Sequence, residues 1–246
     1  MEKIYDFLRP LYDHVEGHIW GIAGGLLGLI EIGVAMVLHS ITEPITIFSH
    51  FVSNLGIGPN GSAEFWNTFS FLCALILIPF MPYLTKTLLL DPTTKRAKLS
   101  NFIVKTAFWI SMMSGLGLMI LSAFSMAPKT IEIHAIGAGM FFIGDLIFMF
   151  LYTVVMYLNG KRQLILYITE GLIALFFIGM LIAMLDVALT AEMNIFSLST
   201  DQMMEFLSNM SSEFRWIRFF EWLVTITMLI WFVIVGYISR KWEKKV

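Results

Sequence analysis

The chain has 246 residues, of which 58% are hydrophobic and only 14% charged, with a mean hydropathy of +0.79. Soluble domains carry about 25% charged residues, so water is not the solvent for most of this surface. A formal net charge of -2 beside 22 Phe, 17 Met and 7 Trp excludes a disordered chain. It also leaves no basic stripe to follow a phosphate backbone, so nucleic acid is not an expected partner. The one cysteine, Cys73, excludes an internal disulfide and a thiolate-rich metal site.

A helix needs about 20 mostly apolar residues to cross a bilayer, because every backbone polar group must be paired within hydrocarbon. Six stretches qualify: roughly Gly17–Ser40, Glu64–Leu89, Asn101–Met126, Ile131–Leu158, Leu164–Thr190 and Trp216–Ile238. They occupy most of the chain, so the expected class is an all-α integral membrane bundle forming a single domain over residues 1–246. The leader before the first span has Ile4, Phe7, Leu8 and Leu11 at helical spacing until Pro10 disturbs it. It reads as an interfacial anchor. The first span is too long for the core of a cleavable signal peptide.

Basic residues fall in alternate connections. Lys86, Lys95, Arg96 and Lys98 lie between spans two and three, Lys161 and Arg162 between four and five, and Arg240, Lys241, Lys244 and Lys245 after six. Those segments are expected to be cytoplasmic, together with both termini. Ile41–Ala63 has no Lys or Arg and is expected outside, as are Ala127–Thr130 and Ala191–Phe214. The sequons at Asn60 and Asn209 fall in two of these outer segments, which makes them N-glycosylation candidates. In Ser199–Met210, Ser199 and Gln202 read as a capping box ahead of an apolar face of Met203, Phe206, Leu207 and Met210, predicting a short interfacial helix. Gly56, Gly58, Pro59 and Asn60-Gly61 break any helix in the first outer segment. An ordered, folded-back loop is expected there, with Ser53 and Asn54 hydrogen-bonding inward.

Ionisable groups inside a bilayer cost about 2.5–3.5 kcal/mol each, so each needs a partner, a wet cavity or a purpose. Glu31, Lys105, His134, Asp145, Glu170, Asp186 and Glu221 are so placed. Gly24, Gly28, Glu31, Ala35 and His39 share one stripe of the first span, whose small residues admit a neighbouring helix. His134, Gly137, Phe141, Asp145, Phe148 and Tyr152 form a second stripe, with Asp145 about 16 Å deeper than His134. Arg218, Glu221 and Thr225 share a face near the outer end of the last span, where an Arg–Glu pair is available. These positions predict an outward-facing polar cavity, floored by Asp145 and Glu31 and rimmed by His134, Glu221, His39 and the first loop. The bland reading is that the same groups only hydrogen-bond between helices. Glu170 reads as a structural group near the inner surface, with Lys105 as a candidate partner.

Standard catalytic motifs are absent. The glycines of the first span lack the Lys-Ser or Lys-Thr of a phosphate loop, and no His-Glu-x-x-His occurs. Only His39, His50 and His134 lie on the outer side with acids near enough to complete a metal set. No metal or other cofactor is expected.

The loop His50-Phe-Val-Ser53-Asn54-Leu-Gly56-Ile-Gly58-Pro59-Asn60 through Phe65-Trp-Asn67, with Ile133-His134-Ala135-Ile-Gly137-Ala138 and Phe220-Glu221-Trp222, resembles motifs of the DRAM/Frag/Sfk-like six-helix membrane proteins and their uncharacterised prokaryotic branch. Asn54 stands where that pattern often has Asp. The resemblance implies a six-helix bundle engaged in lipid-linked work, since members include autophagy modulators and a protein needed for remodelling GPI-anchor lipids. It implies no common chemistry.

The expected function is therefore binding or organising membrane lipid at an outward-facing site, with His39, His50, Ser53, Asn54, Arg218 and Glu31 as binding candidates. One alternative is a membrane-embedded enzyme acting on lipid or a lipid-linked glycan, with His134 as acid/base oriented by Asp145 or Glu221. A weaker one is a proton- or ion-coupled carrier using Glu31 and Asp145. Membrane lipid is the expected partner, with other membrane proteins or a second copy as further candidates. The topology is testable. Cysteines introduced as Asn60→Cys and Lys95→Cys should react with an impermeant maleimide from opposite faces of the membrane; reaction of both from one face would contradict the assignment.

Overall fold

The structure is a computed structural model that describes residues 2–127, 129–190 and 214–243. Among them are seven α-helices: α1 (Glu2–Tyr12), α2 (Gly17–Ser40), α3 (Ser62–Leu88), α4 (Lys95–Ala123), α5 (Ile131–Leu158), α6 (Leu164–Thr190) and α7 (Arg215–Glu243). A 3-10 helix, Val52–Ile57, interrupts the connection from α2 to α3. The helices α2 to α7 are all long and apolar enough to cross a membrane. Their outer faces present Ile30, Val37, Phe102, Trp109, Ile136, Ile182 and many other large apolar side chains, a surface that water does not tolerate. The protein is an all-α, multi-pass integral membrane protein.

Hydropathy locates the apolar part of each helix, and the helices run further. α4 starts at Lys95, six residues before the apolar stretch at Asn101, because the Thr94 hydroxyl accepts the Ala97 amide and caps a basic first turn. α7 continues through Arg240 and Lys241, whose charges suit a helix C-terminus. α1 continues through Pro10 to Tyr12, whose hydroxyl donates to the Pro79 carbonyl of α3 at 2.6 Å, while the Lys86 ammonium sits 3.6 Å over the Tyr5 ring. The leader is docked on α3, with Phe7 exposed on its other side. The short helix expected over Ser199–Met210 lies outside the described residues.

Glycine decides which helices touch. A Cβ on Gly117 would stand 2.8 Å from the Gly137 carbonyl, and one on Gly137 would stand 2.8 Å from the Leu121 amide, so α4 and α5 approach backbone to backbone. α2 uses two faces: Gly17, Gly21 and Gly24 receive Tyr83, Phe80 and Leu77 of α3, while Gly25 and Gly28 receive Leu229 and Val233 of α7. In return Gly236 of α7 admits the α2 backbone at His18. Side-by-side packing therefore runs in the order α5, α4, α3, α2, α7, α6. Only a loose contact closes the ring between α6 and α5. α3 and α7 are the most enclosed spans and α6 the least.

The half of the bundle near the basic connections is filled by aromatic side chains. Phe148 of α5 meets Trp231 and Phe232 of α7 with ring centroids 6.0 Å apart, and Phe80 of α3 meets Phe232 at 6.3 Å. Phe80, Phe148, Tyr152 and Trp231 are fully buried. Tyr152 finds its polar partner in the Thr85 hydroxyl at 2.7 Å. Glu170 does not pair with Lys105, which is exposed on α4. Its partner is the Thr153 hydroxyl of α5, 3.4 Å away, at a cleft between α5 and α6 that also exposes Tyr157 and Tyr167.

Candidate functional site

The opposite half carries the polar residues, and the loop between α2 and α3 covers it. Glycine and asparagine give this loop its shape. Asn60 (φ 57) and Gly61 (φ 81) turn the chain into α3 through left-handed conformations that cost most residues energy. The Asn60 side chain amide then donates to the Leu38 carbonyl (3.2 Å) and the Thr42 hydroxyl (2.6 Å), tying the loop's end to its beginning. That nitrogen, where a glycan would be attached, is thus a structural donor; Asn209 lies outside the described residues. Gly56 is required by close approach, since a Cβ would stand 2.8 Å from Asn67 and 2.9 Å from Trp66. Leu55 is fully buried, and Ser62 donates to both the Ala35 and Leu55 carbonyls.

Two residues of α7 hold the loop down. The Trp222 indole donates to the His50 carbonyl at 2.8 Å, and the Glu221 carboxylate is turned towards the backbone amides of Val52 and Ser53, which favour its charge. The first amides of a helix have no partner within it, so a carboxylate from a neighbouring element complements the start of the 3-10 turn. Arg218, one turn away, lends its charge to Glu221 and lies over the Phe51 ring at 5.2 Å. Asn54 faces back into its own turn, accepting the Phe51 amide at 2.7 Å. Ser53 and Asn54 both reach the Met126 thioether, at 3.4 and 3.9 Å.

Beneath the loop a cleft of about 480 Å³ lies between α5 and α6. Ser53, His134 and Glu221 provide its polar lining, and Phe142, Ile143, Phe177, Met180, Leu181 and Met184 most of its walls. The His134 Nδ1 donates to the Phe124 carbonyl at 2.8 Å, closing the C-terminal end of α4. The imidazole thus holds backbone at a helix C-terminus, while the Glu221 carboxylate stands at the start of the 3-10 turn.

Asp145 and Glu31 do not floor this cleft. Each lines a separate small pocket, of about 20 and 40 Å³ respectively, large enough for one or two waters. Ser53, Phe142 and Glu221 line both the cleft and the pocket at Glu31. Phe141 and Leu118 line both that pocket and the one at Asp145. The Ser70 hydroxyl donates to Glu31, and the Ser114 hydroxyl to Asp145. The second Asp145 oxygen, Oδ2, has no protein partner among the described residues and adjoins the void.

On the upper side of the loop, His39 and His50 stand edge to face with centroids 5.2 Å apart, and Glu43 Oε1 lies 3.6 Å from His50 Nε2. One ligand atom from each of these three residues falls within 4.8 Å of the others, so they form a candidate metal set. Burial holds the His50 imidazole below the usual histidine range, assisted by His39 and Arg218 and opposed by the Glu43 carboxylate. Sequence reasoning named the two histidines and missed Glu43, although its place four residues after His39 was a readable signal. Of the sequence candidates, Ser53, His134 and Glu221 meet at the cleft, His39, His50 and Arg218 meet above it, and Glu31 and Asp145 lie behind it.

A family model described as the Frag1/DRAM/Sfk1/Cwh43P N-terminal domain matches residues 15–245, and the chain belongs to that family. No curated protein and no solved structure matches it.

If Glu221 holds the loop, its removal should be felt there. Glu221→Ala removes the carboxylate that the Val52 and Ser53 amides face, at about 1–3 kcal/mol. Amide hydrogen exchange over residues 52–57 should accelerate at least about tenfold, and Glu221→Gln, which keeps one acceptor oxygen, should fall between. Unchanged exchange in Glu221→Ala would refute the capping role.

Proposed function

We propose that this member of the Frag1/DRAM/Sfk1/Cwh43P family binds a membrane lipid in the cleft between α5 and α6, in the outer leaflet, without acting on it chemically. The observation that carries the reading is the cleft itself, with an apolar wall from Phe142 to Met184 and polar groups from Ser53, His134 and Glu221 beneath the loop. An acyl chain needs such a wall and a headgroup needs such polar contacts. The site also lies where the helix ring is loosest, between α5 and α6, which is the natural lateral entrance from a bilayer.

Two other readings fit less well. A general acid/base needs an imidazole free to exchange a proton with substrate and oriented by a carboxylate. His134 Nδ1 donates to the Phe124 carbonyl, so no carboxylate orients the imidazole through that nitrogen. A proton-coupled carrier needs a polar route onward from Asp145. Phe148 and Phe232 line the same void, and buried Trp231 packs against both.

Gly139 offers a clean test because it lines the cleft and a Cβ there would meet nothing within 4 Å. Gly139→Trp should fill the site without disturbing helix packing. The wild-type protein, purified in mild detergent and measured by native mass spectrometry, should retain about one lipid per chain. Gly139→Trp should retain at least fivefold less at a similar melting temperature. Equal retention by the two proteins, or none by the wild type, would overturn the proposal.

A further inference from the structure

We propose that His39, Glu43 and His50 bind a divalent transition metal of the zinc class, which clips the end of α2 to the loop over the cleft. The three ligand atoms already fall within 4.8 Å of one another, and His50 Nε2 and Glu43 Oε1 are 3.6 Å apart. Tetrahedral zinc with bonds of about 2.0–2.1 Å sets neighbouring ligand atoms about 3.3 Å apart. The remaining closure is small. Glu43 is the residue free to make it, since its side chain is 62% exposed while that of His50 is 19% exposed.

The surroundings accommodate the metal-binding form of His50. Its Nδ1 lies 2.7 Å from the Ser49 hydroxyl, which can turn its hydrogen either to that nitrogen or to the Thr46 carbonyl at 3.2 Å. When it turns to the carbonyl, Nδ1 carries the imidazole proton and Nε2, 3.6 Å from Glu43 Oε1, has a free lone pair. A cation between Nε2 and Glu43 selects that form. The hydroxyl behind His50 is the outer-shell partner that metal-bound histidines commonly have.

His39 is the fixed ligand. It is 4% exposed and packs against Gly58, where a Cβ would stand 2.4 Å from its ring. It lies in the last turn of α2, where the helix dipole favours a cation, and the Glu43 backbone carbonyl is 3.4 Å from its Nδ1. The His50 backbone is pinned by Trp222. Arg218 is a nearby positive charge acting on His50, and Glu221 lies beside it to offset that charge. Two imidazoles and one carboxylate favour zinc, and cobalt as its spectroscopic substitute, over magnesium or calcium, which prefer all-oxygen sets. The fourth position is left for water or an oxygen of a lipid headgroup.

The test uses the full-length protein in detergent and zinc chloride alone, in competition with a chromophoric chelator. The expected result is one saturable site with micromolar or tighter affinity, unmoved by millimolar magnesium, and a visible cobalt spectrum of tetrahedral type. Glu43→Gln and His50→Ala should each weaken binding at least tenfold while keeping the metal-free melting temperature. No saturable site, or wild-type affinity in both variants, would overturn the proposal. Because the readout is metal binding and not lipid retention, it stands or falls separately from the lipid reading.

Discussion

Hydrocarbon offers no hydrogen-bond partner, so every polar side chain set between these helices must find one inside the protein. The bundle meets that constraint with short-range donors and backbone ends. Glu31 and Asp145 each take a serine hydroxyl from a neighbouring helix. His134 closes the end of α4, and Glu221 faces the first amides of the 3-10 turn of the loop. No member of this set has an ion-pair partner within hydrogen-bonding reach among the described salt bridges, which involve other residues. The polar half of the bundle is thereby a framework that ties together α2, α3, α4, α5, α7 and the loop.

The cleft follows from that framework. α4 and α5 are joined through Gly117 and Gly137, and α6 packs on α7 instead, with Gly179 receiving the Phe220 ring. α5 and α6 are neighbours in sequence, yet each is committed to a different partner. The gap left between them is lined by Phe177, Met180 and Met184 on one side and Phe142 and Ile143 on the other. Methionine suits such a wall because its flexible thioether adapts to ligands of varied shape. The loop gives the gap a polar end through Ser53, and the proposed metal clip acts on that same loop from above.

Much of this was legible before the fold. Hydropathy located all six spans, and the periodicity of Gly24, Gly28, Glu31 and Ala35 placed Glu31 on a face packed against protein. Periodicity fixes azimuth on a helix, but it cannot name the neighbour across the gap. Ser70 and Ser114 are unremarkable serines in sequence, and nothing marked them as partners of Glu31 and Asp145. The backbone carbonyl that receives His134 and the amides that face Glu221 carry no sequence signal at all. For the same reason a single polar cavity floored by Asp145 and Glu31 is the expectation from sequence, whereas each lines its own small pocket, with Phe141 and Leu118 common to both. Glu170 was assigned by depth to Lys105, but depth does not fix direction, and its carboxyl turns to Thr153.

The account stands on a lipid lying between α5 and α6. The most direct measurement is photo-crosslinking in membranes with a phospholipid carrying a diazirine on its acyl chain, with the adducts mapped by peptide sequencing. Adducts should concentrate on the cleft residues Phe142, Ile143, Phe177, Met180 and Met184. They should exceed those on bilayer-facing residues of the same two helices, such as Ile136, Leu175 and Ile182. Labelling spread evenly over the exposed faces of all six spans, with no excess at the cleft, would contradict it.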